Sequence, residues 1–285
     1  MKLISFRQNS QNRWGWIADD GATVITPLLQ NNTQPASLDE VVSQGRGSLD
    51  QICMESEVEP IALTDLELLT PLARGAIFGA AVNYYPNDEK NESDRKGDYP
   101  VMFLRLHRNH VAHNQPLWVP RKTNTLDWEG ELAAIIGTGG RHIQAENALE
   151  HVFGYSIYNE GTVRGYSKHS GQVGLTKNVQ ASGSFGPLIV TSDEFGNPYD
   201  HRITTTVDGE IMQDDSVDLM IHRIEDLIAY ISEGTELQPG DIICTGTPKG
   251  MGVTMSPPRY LQSGEIIEVR IDGIGTLSNP VIDEP

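Results

Sequence analysis

Two cysteines in 285 residues, Cys53 and Cys244, are too few and too far apart for a disulfide framework or a zinc cluster. Basic residues are scarce as well: 21 lysines and arginines against 39 aspartates and glutamates leave a formal charge of −18. Nucleic acid and anionic membrane surfaces repel such a chain, so neither is expected as a partner. No apolar run approaches the roughly 18 residues of a membrane helix. The start, Met1-Lys2-Leu3-Ile4-Ser5-Phe6-Arg7, turns polar too soon for a secretory signal. A cytoplasmic protein is the expectation. Internal repeats and low-complexity stretches are missing too. What the chain has in quantity is turn residues, 28 glycines and 16 prolines, with short apolar runs between them.

Those runs predict a predominantly β, α+β chain rather than an alternating βαβ array. Residues 1–72 read as a small N-terminal domain, with a hairpin from Lys2–Phe6 and Trp14–Ile17 and weak helical patterning over 38–54. Residues 73–285 form the main domain. Its predicted strands include 76–82, 101–105, 132–136, 154–160, 242–245, 266–271 and 276–281. Ile221, Ile224, Leu227, Ile228 and Ile231 mark the clearest amphipathic helix, and 145–152 a short one. The segment 86–99 is so polar that it is either a cover or plain surface.

Asp127-Trp128-Glu129-Gly130-Glu131-Leu132 poses an electrostatic problem. On a strand, Glu129 and Glu131 share a face about 6.5–7 Å apart. At that spacing two carboxylates repel each other or converge on one divalent cation, while the bland alternative is a solvated strand end. Glu160 ends a later strand, and Lys177 follows it. Thr245-Gly246-Thr247-Pro248-Lys249-Gly250 is a glycine-rich turn without P-loop spacing, yet able to cradle an anion. His107, His110 and His113 make a poorer metal site than these acids and read as surface or lid residues. Gly137-Thr138-Gly139-Gly140 between two strands imitates a dinucleotide-binding turn. However, His142 stands at the third glycine position, so a nicotinamide-dependent enzyme is disfavoured.

The order of these motifs resembles the fumarylacetoacetate hydrolase superfamily, whose members cleave, decarboxylate or isomerise 2-oxo and 2,4-dioxo acids. The similarity is nearest to the bacterial catechol-pathway hydratase and isomerase branch. The matching segments are 127–132, 154–160, Arg164, Lys177-Asn178, Phe185-Gly186-Pro187, 238–243, 245–248 and 275–279, so the match covers roughly residues 75 to 282. The resemblance implies a mixed β-roll fold, a homodimer, and one Mg²⁺, Mn²⁺ or Ca²⁺ held by Glu129, Glu131 and Glu160. It implies that Lys177 and Thr247 hold the substrate's carboxylate or enolate, with Gly246, Asn83 and Arg105 on the substrate side.

Three departures from the family's pattern bear on the reaction. Many members carry N-Y-x-x-H-x-x-E, whose His–Glu pair activates water; here Asn83-Tyr84 is followed by Asn87 and Lys90, with Glu89 one residue early. Ser167 stands where glutamine is frequent, and Gln172 or His169 in the same loop would substitute as catalytic residues beside Lys177. Glu160 replaces the usual aspartate. The expected function is a metal-dependent enzyme acting on a small anionic 2-oxo or 2,4-dioxo acid through an enolate. C–C bond hydrolysis is placed first, isomerisation or decarboxylation next, and a catalytically silent binding member last.

Overall fold

The computed structural model describes residues 1–28, 35–91 and 97–285. Its centre is the strand Gly130–Ile136, buried at every position. It lies antiparallel to Val152–Asn159, with Ala134 opposite Tyr155, and on its other side to Ile242–Cys244, with Ala133 opposite Cys244. Alternation sends Leu132, Ala134 and Ile136 to one apolar cluster and Ala133 and Ile135 to another. The apolar run is continuous because both faces are covered. The antiparallel pairing of the strands that flank Gly137–Gly140 also rules out a parallel dinucleotide-binding unit here.

Around these strands runs a twelve-stranded sheet. Its path is Val58–Ala62, Thr23–Pro27, Gln11–Ile17, Lys2–Gln8, Gly183–Thr191, Val152–Asn159, Gly130–Ile136, Ile242–Cys244, Ile77–Ala81 and the edge strand Val101–Arg105. A five-stranded sheet, from Arg202–Val207, Glu210–Ser216, Ile266–Ile271, Gly275–Asp283 and Leu117–Val119, packs Ile203, Val269, Ile271 and Leu277 onto the Leu132 face. Gly130 fits between the layers because it lacks a side chain: a Cβ there would stand 2.3 Å from Thr205 Oγ1. The opposite face receives Leu38, Val41, Val42 and Leu49 from the N-terminal helices.

The hairpin Lys2–Gln8 with Gln11–Ile17 forms as predicted. Gly45, at φ +80°, divides the helical patterning of 38–54 into Leu38–Gln44 and Arg46–Glu55. The main helix begins at Ile224 rather than Ile221, where the Asp226 carboxylate reaches back to accept from the Arg223 N–H at 2.9 Å. The short helix after the glycine turn is a 3₁₀ helix, Ala145–His151.

Residues 1–72 share their sheet and core with the rest of the chain. Lys2 and Leu3 pair with Val190 and Ile189, and Ile4, Phe6, Val24 and Ile61 belong to the cluster built on Leu132. A chain beginning at residue 73 would expose the free edge of Gly183–Thr191 and that apolar face. It is expected to lose the cooperative thermal transition of the full chain; a sharp melt near the full-length Tm would show an independently folding unit.

Candidate metal centre

Glu131, Tyr158 and Cys244 come to one face through strand register: Tyr158 lies opposite Glu131, and Cys244 opposite Ala133, two residues on. Glu160 follows the end of its strand, and its N–H donates to the carbonyl of Glu129 at 2.8 Å. Glu129 itself stands one residue before the central strand, where its N–H donates to Asn159 Oδ1. All three glutamates are buried, with Glu160 at 0% exposure.

Three cations meet these acids. Arg105, from the edge strand, pairs with Glu160 Oε1, and neither side chain is exposed. Lys177 Nζ donates to Glu129 Oε2 at 2.6 Å and lies 3.9 Å from Glu160 Oε1. Arg164 bridges Glu129 Oε1 at 2.5 Å and Asp127 Oδ2 at 2.8 Å. Asp127 in turn accepts from the N–H groups of Gly252 and Val253, so it fixes the far turn. Two small residues make room for this arrangement. A Cβ on Gly183 would meet Arg105 Nη2 at 2.5 Å, and one on Gly79 would strike the Phe103 ring that faces Lys177 Nζ at 4.9 Å.

Compensation within the cluster is uneven. Burial opposes the charge of Glu129, but Lys177 and Arg164 outweigh it and hold its carboxyl below the ordinary range. Burial pushes Glu131 well above that range, and the neighbouring Glu160 and Glu129 push it further. Glu160 Oε2 is buried with no hydrogen-bond partner. Donor atoms of Glu131, Glu160 and Cys244 lie within 4.8 Å of one another. Two crowded carboxylates, one with an orphaned oxygen, fit a divalent cation, the partner that would satisfy both. Cys244 escaped the sequence reading because it is distant in the chain and only register brings it near.

The cleft of about 410 Å³ over this cluster is lined by Glu129, Glu131, Arg164, Lys177, Thr247 and Lys249, with an apolar wall that includes Val82, Tyr85, Val173 and Met251. Lys177 and Thr247 therefore border the cleft. Other candidates do not. Arg105 lies behind Glu160, its guanidinium spent on that carboxylate and the Gly161 carbonyl. Asn83 is 1% exposed and binds the backbone of His222 and Thr245. Gly246 gives its N–H to Glu131 Oε2 at 2.9 Å. All three support the site rather than border it. Gln172 and His169 are exposed and outside the cleft lining, whereas Ser167 lies in it. His107, His110 and His113 point elsewhere, to Gly75, Tyr158 and Ser278. Of the segment 86–99, residues 92–96 lie outside the described residues.

Comparison with known proteins places this arrangement in company. Residues 76–282 match the family model Fumarylacetoacetate (FAA) hydrolase C-terminal. The chain is 30% identical over 290 residues to Oxaloacetate tautomerase fahd2, mitochondrial, from Xenopus laevis, covering 99% of this chain and 90% of that one. It is similar to the solved fumarylacetoacetate hydrolase EaFAH from psychrophilic Exiguobacterium antarcticum, with TM-score 0.86, 36% identity and 100% of both chains covered. It is also similar to 5-carboxymethyl-2-hydroxymuconate delta-isomerase from Mycobacterium smegmatis, with TM-score 0.80, 26% identity and 100% of both chains covered.

The raised Glu131 carboxyl has a pH signature. The folded protein holds a proton on it above pH 4.5 that the unfolded chain has lost, so this group's contribution to stability falls as pH rises above that value. Metal-free protein should therefore lose stability relative to Glu131→Gln as pH rises from about 4.5, and saturating Mn²⁺, which stabilises the folded protein that binds it, should reverse the difference in favour of the wild type. Parallel urea-midpoint profiles for the two proteins without metal would contradict the assignment.

Proposed function

Because the chain belongs to the fumarylacetoacetate hydrolase superfamily, we propose that it is a divalent-metal-dependent enzyme acting on small 2-oxo acids by proton transfer beside the keto group. Keto–enol tautomerisation is the simplest such reaction. Members of this superfamily are generally enzymes, among them hydrolases, isomerases and tautomerases, and typically bind divalent metals. The observation that carries the reading is the pairing of Lys177 with Glu129 beside the crowded Glu131 and Glu160, at the floor of a mostly apolar cleft.

Glu129, Glu131 and Glu160 would hold the cation. When bound, it supplies a Lewis acid for the oxygens of a 2-oxo acid. The remaining work falls to this chain's own side chains. Lys177 Nζ, 2.6 Å from Glu129 Oε2, works as an amine: it takes the proton that leaves the adjacent carbon and, as the ammonium so formed, gives that proton to the enolate oxygen. Arg164 fixes Glu129 from its other oxygen, and Thr247 Oγ1, donating to the Gly130 carbonyl at 2.8 Å, sets the opposite wall. Val82, Tyr85, Val173 and Met251 limit the access of water.

C–C bond hydrolysis ranks behind proton transfer. It requires an activated water, yet among the described residues no histidine lines the cleft, and Asn87 and Glu89 are exposed outside it. The reading is tested by following keto–enol exchange of oxaloacetate, and deuterium exchange beside the keto group, with Mg²⁺ or Mn²⁺ present; acylpyruvate cleavage is measured alongside. Lys177→Met should slow exchange by about 100-fold or more. Glu131→Ala should abolish Mn²⁺ binding and activity together. Retained Mn²⁺ affinity in that variant would refute the ligand assignment, and wild-type protein with metal bound but no exchange would refute the reaction.

A further inference from the structure

Two of the cations bordering the cleft are already committed. Arg164 is shared between Asp127 and Glu129, and Lys177 lies between Glu129 and Glu160. Lys249 differs. Its side chain is 57% exposed, and its partner is Asp215, with Nζ at 3.2 Å from Oδ2 and 3.4 Å from Oδ1. An ammonium group carries three donors, so this pair leaves capacity facing the cleft.

The backbone beneath Lys249 is fixed. Gln213 Nε2 donates to the carbonyl of Pro248 at 2.9 Å, and Trp128 Nε1 to that of Gly250 at 3.0 Å. Gly250, at φ +102°, sits where a Cβ would stand 2.0 Å from the Met212 carbonyl. Thr247 Oγ1 ties the start of the turn to Gly130, the residue between Glu129 and Glu131. Two residues of chain span at most about 7 Å. Lys249, on its flexible four-carbon stem, therefore stands a short molecule's length from the glutamates.

Charge accounting says what it faces. With Glu131 ionised, as it would be against a bound cation, Asp127, Glu129, Glu131 and Glu160 supply four negative charges, and Arg105, Arg164 and Lys177 three positive ones, for a net −1 before the metal's own charge is added. A divalent cation brings that inner cluster to +1, matched by one carboxylate of a 2-oxo acid. A second carboxylate further along the same molecule would meet the apolar wall of Val82, Tyr85, Val173 and Met251, unless Lys249 receives it.

We propose that Lys249 recognises a distal carboxylate and so sets the preferred substrate class as 2-oxo dicarboxylic acids. This rests on reading the cleft as a 2-oxo acid site. Asp215, whose side chain is 9% exposed, holds the ammonium at the rim until the diacid arrives.

Calorimetry on Mn²⁺-loaded protein, with oxalate, pyruvate and 2-oxoglutarate as probes, tests it. The wild type should bind 2-oxoglutarate more tightly than pyruvate. Lys249→Met should weaken 2-oxoglutarate about 10-fold or more and leave oxalate and pyruvate within about 2-fold. Lys249→Arg should keep most of the diacid preference. Thermal stability should hardly change, because an exposed ion pair contributes little. Oxalate binding without a diacid preference, or equal weakening of all three probes in Lys249→Met, would overturn the role of Lys249 alone. Wild-type protein that binds Mn²⁺ but none of the three acids would overturn the 2-oxo acid reading and this inference with it.

Discussion

Mutual repulsion of buried carboxylates is the constraint around which this molecule is built. Glu129, Glu131, Glu160 and Asp127 are all buried at one end of an antiparallel strand pair. A single uncompensated charge in such a place costs several kcal/mol, so the surrounding elements can be understood by the cation each delivers. The edge strand Val101–Arg105 ends on Arg105, the short helix Gly174–Lys177 ends on Lys177, and the 3₁₀ turn Arg164–Tyr166 begins on Arg164. Glycines are placed where these side chains must pass: Gly183 beside Arg105, and Gly79 beneath the Phe103 ring that faces Lys177. The two covered sheet faces hold the strands rigid enough for the carboxylates to stay close. The compensation still stops short, as Glu131 and the unpartnered oxygen of Glu160 show. That remaining deficit is the feature on which the proposed cation site rests.

Local features were legible in the sequence, and long-range ones were not. The E-x-E spacing, the acid at the end of Val152–Asn159 and the glycine-rich turn could each be read from a few neighbouring residues; the E-x-E acids and the turn line one cleft, and Glu160 lies buried beside Glu131. The hairpin at the N-terminus was visible for the same reason. Its attachment to Gly183–Thr191 was not, because Lys2 and Val190 are about two-thirds of the chain apart and nothing in either segment names the other. A two-unit division at residue 72 is what local patterning suggests when such a ladder is hidden. The second face of Gly130–Ile136 was equally hidden, since a continuous apolar run does not say what covers it.

The expected site residues that lie away from the cleft share one physical origin. Asn83, Arg105 and Gly246 sit in or beside motifs that also carry cleft residues, and sequence does not separate a side chain that lines a site from one that braces it. Arg105 is a clear case: a guanidinium at a strand end normally reads as surface, but here it is wholly buried against Glu160. Gly246 serves through its backbone, at φ +94°, and a Cβ there would press to 2.8 Å against Asn83. Gln172 and His169 were chosen for chemistry alone, and the exposed loop carries them past the cleft.

The lip of the cleft explains why the departure at Asn87 matters more than one missing side chain. Val82 is β-branched yet held at φ +54°, a conformation that costs on the order of 1–3 kcal/mol. The Asn83 amide donates to the carbonyls of His222 and Thr245 and accepts from the His222 N–H, and with the Tyr85 N–H donating to the Leu219 carbonyl these bonds hold that corner in place. The corner commits Val82, Tyr84, Tyr85 and Pro86 to the cleft wall. Beyond it the chain turns outward, where Lys90 is tied to Asp218. A base in the next few residues would have to cross back over this pinned aromatic wall to reach the site. The corner thus separates residues 87–91 from the floor of the cleft, where the proposed proton transfer falls to Lys177.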